Sequence, residues 1–165
     1  MPRAWVLGGV AVIIVAVVAV LVLSGGGGGG GSGNPKLALA RRACALISPS
    51  DFQAAIGPPR GAPTPFDVTS SCIFGYGAGN QIVSVEILKE GATPADFQMT
   101  EGTYRRDAPT ADLPGVGGGA FSSTFRDTTS VVVLDTRRRI VFSLYSSAAT
   151  PQQLIDLARR TVAGA

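Results

Sequence analysis

Hydrophobic and polar positions divide the chain into three unequal stretches. Residues 4–23 are uncharged and mostly apolar, with valine and isoleucine prominent. At about 1.5 Å rise per residue, a helix of that length spans about 30 Å, the hydrocarbon thickness of a bilayer. The pattern therefore predicts a transmembrane signal-anchor helix over 4–23, with residues 1–3 left in the cytoplasm. Residues 24–35 contain seven consecutive glycines (25–31) and read as a flexible linker. Residues 36–165 switch to short runs with helical and strand periods, as expected of one extracytoplasmic domain.

Three helix starts in that domain share one chemistry. Ser48-Pro49-Ser50-Asp51, Thr93-Pro94-Ala95-Asp96 and Thr150-Pro151-Gln152-Gln153 each place a hydroxyl at the cap and a proline at the first helical position. An acid or amide three residues after the hydroxyl can close a capping box. The third start leads into the strongest apolar pattern, Leu154, Ile155, Leu157, Ala158 and Val162. The second is followed at once by Thr100, Gly102 and Thr103, which predicts only one or two turns. The segments 48–57 and 93–102 also match at Pro, Asp, Phe, Gln and Gly. Convergence of good helix starts accounts for that match, and an old duplication is the alternative.

Strand signals fill the intervals. Residues 71–76 are followed by the turn Gly77-Ala78-Gly79-Asn80 and then by 81–89. There Val83, Val85 and Ile87 alternate as the core set against Ile82, Ser84, Glu86 and Leu88. Residues 120–125, 131–134 and 139–146 follow with tight turns between them, as in antiparallel meanders. The expected fold class is α+β: an antiparallel sheet of about five strands with two to three helices on one face, preceded by one N-terminal transmembrane helix. The proline-rich stretch 58–69 and the glycine-rich stretch 108–119 read as loops. The latter follows no strand and opens no helix, so it is neither a P-loop nor a dinucleotide fingerprint.

Composition adds location more than activity. The 45% hydrophobic content is inflated by the apolar segment. Of 14 basic residues only Arg3 precedes that segment, leaving 13 against 11 acids. So nearly neutral a balance gives no reason to expect a nucleic-acid partner, whatever the pI of about 9.2. The two cysteines, Cys44 and Cys72, both lie in the domain. In an exported domain an even count favours a disulfide, whereas in the cytosol two buried thiols would be the better reading. The apolar segment is long for a cleaved signal, although Val22-Leu23-Ser24 is small enough to be cut. Gly26 stands where a lipidated cysteine would be. Arg3 supports a cytoplasmic amino terminus; Lys36, Arg41 and Arg42 oppose it, but they lie near the limit of that rule's reach.

Chemistry is sparse. The chain has no histidine, which removes the commonest general base and zinc ligand. The acids fall mostly at helix starts and turns, no metal-ligand spacing appears, and neither a cofactor nor an enzymatic activity is expected. The candidate binding residues are Tyr76, Tyr104 and Tyr145, which could line a groove between sheet and helices for an apolar ligand. Arg137-Arg138-Arg139, at an expected hairpin tip, could touch an acidic lipid or polymer, or simply be a solvated turn.

The chain resembles a family of small actinobacterial (mycobacterial-type) envelope proteins of unknown function, many of which carry a lipoprotein signal. The resemblance rests on Cys44-Ala45-Leu46-Ile47-Ser48-Pro49 with the helix that follows, and on Ser71-Cys72-Ile73-Phe74. It extends through residues 113–121 and the final helix, over most of 41–163. It implies that the two cysteines pair and that the protein works outside the membrane. The chain departs from the family in lacking the lipidated cysteine, in having Phe74 where tryptophan is common, and in having Gly119 where an acid is common. Together these readings predict a membrane-anchored binding or interaction domain of the cell envelope. Its partners would be the bilayer through residues 4–23 and an unidentified envelope protein or apolar ligand. A lipid- or small-molecule-binding carrier or sensor ectodomain is the alternative, and it would require an apolar cavity of at least about 300 Å³.

Overall fold

The computed structural model describes residues 34–164. Four helices form among the described residues: α1 (Pro35–Ala45), α2 (Pro49–Ala55), α3 (Pro94–Asp107) and α4 (Pro151–Ala163). Each begins with a proline behind a capping side chain, Asn34, Ser48, Thr93 and Thr150 respectively. The capping boxes expected at Thr93–Asp96 and Thr150–Gln153 are both closed. The transmembrane helix expected over 4–23 lies outside the described residues. Among the described residues no helix is long and apolar enough to cross a membrane.

The strands are β1 (Thr64–Phe66), β2 (Ser71–Tyr76), β3 (Gln81–Glu90), β4 (Thr110–Asp112), β5 (Gly119–Phe125), β6 (Thr128–Asp135) and β7 (Ile140–Ser146). They make one antiparallel seven-stranded sheet in the order β1-β2-β3-β7-β6-β5-β4. The last strand of the second meander thus docks beside the last strand of the first, and the short strands β1 and β4 close the edges.

Both faces of this sheet are used, which corrects the expectation of about five strands with two to three helices on one face. The inner face carries Cys72, Phe74, Val83, Val85, Val131, Val133, Phe142 and Leu144. It is covered by α1, α2 and α4 through Ala43, Phe52, Leu154 and Leu157. Phe52 stacks on Phe74 with ring centroids 4.9 Å apart. The outer face carries Phe121, Val132, Leu134 and Val141, packed under Phe97 and Tyr104 of α3. Burial from both sides explains why β6 reads Val131-Val132-Val133-Leu134 without alternation. The related segments 48–57 and 93–102 begin helices on opposite faces of the sheet.

Three further expectations change. The domain begins earlier than residue 36, because Asn34 and Pro35 already start α1. Helix α3 runs for 14 residues instead of one or two turns. The stretches 58–69 and 108–119, read as loops, each supply a three-residue edge strand. The two cysteines are bonded, tying Cys44 at the end of α1 to Cys72 in β2.

Candidate functional site

The outer face is covered unequally. Helix α3 packs on β4, β5 and β6, while α1, α2 and α4 pack on the other side of the sheet. Among the described residues no helix packs across the outer face of β1 and β2, and α3 reaches β3 near Leu88 and Glu86. Pairing register fixes what this open half presents. Ser71 of β2 lies opposite Glu86 of β3, and Glu86 lies opposite Ser143 of β7. In the next row Ile73 lies opposite Ser84, and Ser84 opposite Tyr145. Directly opposed residues bring their Cβ atoms to about 5 Å, so these side chains form one patch.

Tyr104 reaches the same patch from α3. Its position is set by Phe121, which it meets edge-on with centroids 5.3 Å apart, and Phe97 holds Phe121 from beside it at 5.7 Å. Glu86 is thereby surrounded by the hydroxyls of Ser71, Ser84, Ser143, Tyr104 and Tyr145. Arg42 pairs with Glu90, Arg105 with Glu101, Arg138 with Asp135 and Arg159 with Asp156; Glu86 has no such partner among the described residues.

The electrostatics follow from that arrangement. Burial pushes the Glu86 carboxyl up from 4.5 to about 7, because the ionised form loses hydration and gains no cation. Burial also pushes the Tyr104 phenol up to about 12, helped by the charge of Glu86 and opposed by a hydrogen bond with Ser143. Tyr145 is raised by burial first and by Glu86 second, with the Ser84 and Ser71 hydroxyls working against the shift. The two phenols stay neutral through physiological pH while Glu86 is poised to change charge.

An apolar rim lies on the same face. Phe66 is opposite Ser71, Ile82 opposite Gly75, and Phe125 belongs to the same alternation as Phe121. These three side chains remain 42%, 38% and 39% exposed, respectively.

Of the three candidate tyrosines the fold brings together two. Tyr104 and Tyr145 flank Glu86. Tyr76 alternates with Phe74 onto the inner face, where it meets Phe52 edge-on at 6.2 Å. Its hydroxyl is buried there with no hydrogen-bond partner among the described residues. The groove of Tyr76, Tyr104 and Tyr145 therefore does not form. Arg138 is no free tip residue either: its guanidinium donates to Asp135 and to the Thr161 carbonyl, pinning the β6–β7 turn to α4. Glu86 went unnoticed in the sequence because strand alternation alone placed it on a solvated face.

Two surface clefts lie away from the patch. One, of about 370 Å³, is lined by residues that include Gly115, Asp135, Arg137, Arg159 and Val162. The other, of about 360 Å³, is lined by Ala54, Asp156, Arg159 and Arg160. The first lies between the β6–β7 turn and α4, the second between α2 and α4; charged side chains line part of each, and neither is a closed apolar chamber. Among the described residues no three His, Cys, Asp or Glu side chains converge as metal ligands would. Comparison with known proteins returns no matching family model, no matching curated protein and no matching solved structure.

Proposed function

We propose that this chain is an extracytoplasmic interaction domain of the cell envelope, held at the membrane by its N-terminal apolar segment, and that it binds through the outer face of its sheet. The observation that carries the reading is the open half of that face, where a partly buried carboxyl without a cation lies beside exposed apolar side chains. This half sets exposed Phe66 and Ile82 beside Ser71, Ser84 and Glu86, so apolar surface stands in water next to the carboxyl. The Cys44–Cys72 disulfide and the apolar run at 4–23 support an oxidising location outside the cytoplasm. The carrier alternative is less well supported, since both of these clefts are open and partly lined by charged side chains.

A photo-crosslinking amino acid placed at Ile82, on the open face, tests this in cells against the same residue placed at Arg160 on α4. A discrete adduct from position 82, identified by mass spectrometry as one envelope protein, and none from 160 is the expected result. Indistinguishable adducts from the two positions would contradict the assignment of the face.

A further inference from the structure

Glu86 has the arrangement of half an ion pair. Its neighbours across the sheet, Ser71 and Ser143, are small and buried, at 1% exposure each, whereas Glu86 itself is partly exposed. The hydroxyls of Ser71, Ser84 and Ser143 are the groups that meet Tyr104 and Tyr145. No basic side chain of this chain reaches the carboxylate among the described residues, although the chain as a whole carries a net charge of +3. A carboxylate partly withdrawn from water without a cation carries a cost, and a cation arriving from outside removes it.

Resting on the reading of this face as a binding surface, we propose that it receives a lysine or arginine side chain of a partner protein. The cation sits against the Glu86 carboxylate between the Tyr104 and Tyr145 rings. The apolar residues flanking it on the partner cover Phe66, Ile73 and Ile82. Charge complementarity selects the cation. The rim selects a protein over a free amine, because a small amine would leave Phe66 and Ile82 in water. Tyrosine rings beside the carboxylate add the negative faces that favour an ammonium or guanidinium. A charge enclosed by apolar contacts is the usual centre of a protein interface, where the surrounding residues exclude water.

The test is nuclear magnetic resonance titration of the full-length chain in detergent micelles, following the backbone amides of Ser71, Ser84 and Ser143. The probes are the capped tripeptide leucyl-arginyl-leucine, the same peptide with a central glutamate, and ethylguanidinium. The arginine peptide should give saturable shifts at these three amides and the glutamate peptide none. Ethylguanidinium should bind at least tenfold more weakly than the arginine peptide. Glu86→Gln should weaken the arginine peptide at least tenfold while its spectrum remains that of a folded domain, and Arg159→Gln should leave binding unchanged. Equal binding by Glu86→Gln overturns the proposal. Ethylguanidinium binding as tightly as the peptide also overturns it, by making the site one for small amines. If those results appear while position 82 still crosslinks to one partner, the face is an interface and the cation assignment alone has failed.

Discussion

Replacing Glu86 by glutamine is expected to stabilise the folded protein above neutral pH and to leave it unchanged in acid. The folded carboxyl titrates at about 7 against 4.5 as its ordinary value. Below pH 4.5 both folded and unfolded chains hold the proton, and the group contributes nothing to the difference between them. Between 4.5 and 7 the unfolded chain loses its proton first, so stability falls as pH rises. Above 7 the folded state bears the full cost of ionising a buried carboxyl, about 3 kcal/mol at one pKa unit per ~1.4 kcal/mol. The groups facing Glu86 do not obscure this, because Tyr104 and Tyr145 are both raised and stay neutral across the range. Urea unfolding of Glu86→Gln and the parent at pH 4, 6 and 8 measures the effect. The advantage of the variant should grow from near zero to about 2–3 kcal/mol over that range. An advantage of the same size at pH 4 and pH 8 would mean that the carboxyl is not desolvated. A residue that lowers stability at neutral pH and has no internal partner is more readily explained by binding than by folding.

Removing the disulfide should cost about as much, by a different route. Cys44 and Cys72 are 28 positions apart, and a cross-link closing a loop of that length is worth about 3–4 kcal/mol through the unfolded chain. The loss concentrates on α1, whose fully buried side chains are only Ala40 and Ala43. Leu39 against the core and the Arg42–Glu90 ion pair add to those two methyl groups, and the bond to β2 is the one covalent attachment of the helix. The double variant Cys44→Ala/Cys72→Ala should melt on the order of 10–15 °C below the parent. Amide exchange should accelerate first in α1 while β6 and β7 stay protected. An unchanged melting temperature, or uniform loss of protection across the sheet, would contradict this account of α1.

How far the sequence anticipated this structure varies with the kind of signal. The starts of α2, α3 and α4 were legible because hydroxyl, proline and acid or amide act within one turn; the full capping box closes in α3 and α4, while in α2 Ser48 accepts from the Asp51 N–H and donates to the Asp51 carboxylate. Helix α1 was not expected: it opens on Asn34-Pro35, a cap and a proline like the others, but Leu37 stands where a capping box would need an acid or amide. The length of α3 was misread from Thr100, Gly102 and Thr103. The two threonine hydroxyls donate back to the carbonyls of Asp96 and Met99, so they are satisfied within the helix. Gly102 sits where an added Cβ would meet nothing, so it interrupts no packing. Arg105 and Arg106 then favour the negative C-terminal end of the helix.

Edge strands β1 and β4 could not be read, because three residues carry no period and their pairing partners are distant or newly turned. Helices on both faces were signalled by Val131 to Leu134 and by Ile140-Val141-Phe142, runs in which neighbouring residues are all buried. The site was half legible. Alternation placed Ser84 and Glu86 together, but the approach of α3, which buries Glu86 and brings Tyr104 to it, depends on β5 and β6 docking through β7. Tyr76 was grouped with the wrong tyrosines because the face of β2 is set by its partner β3, where Phe74 lies opposite Val83.

The account depends most on Glu86 being a carboxyl partly withheld from water without a cation. Carbon-13 detection of its side-chain carboxyl in the full-length protein, titrated from pH 3 to pH 9, measures that directly. A midpoint near 7 is the result expected, and it should move downward when the arginine peptide is added, since a cation favours the ionised form. A midpoint near 4.5, indifferent to the peptide, would show a solvated surface glutamate and contradict the site.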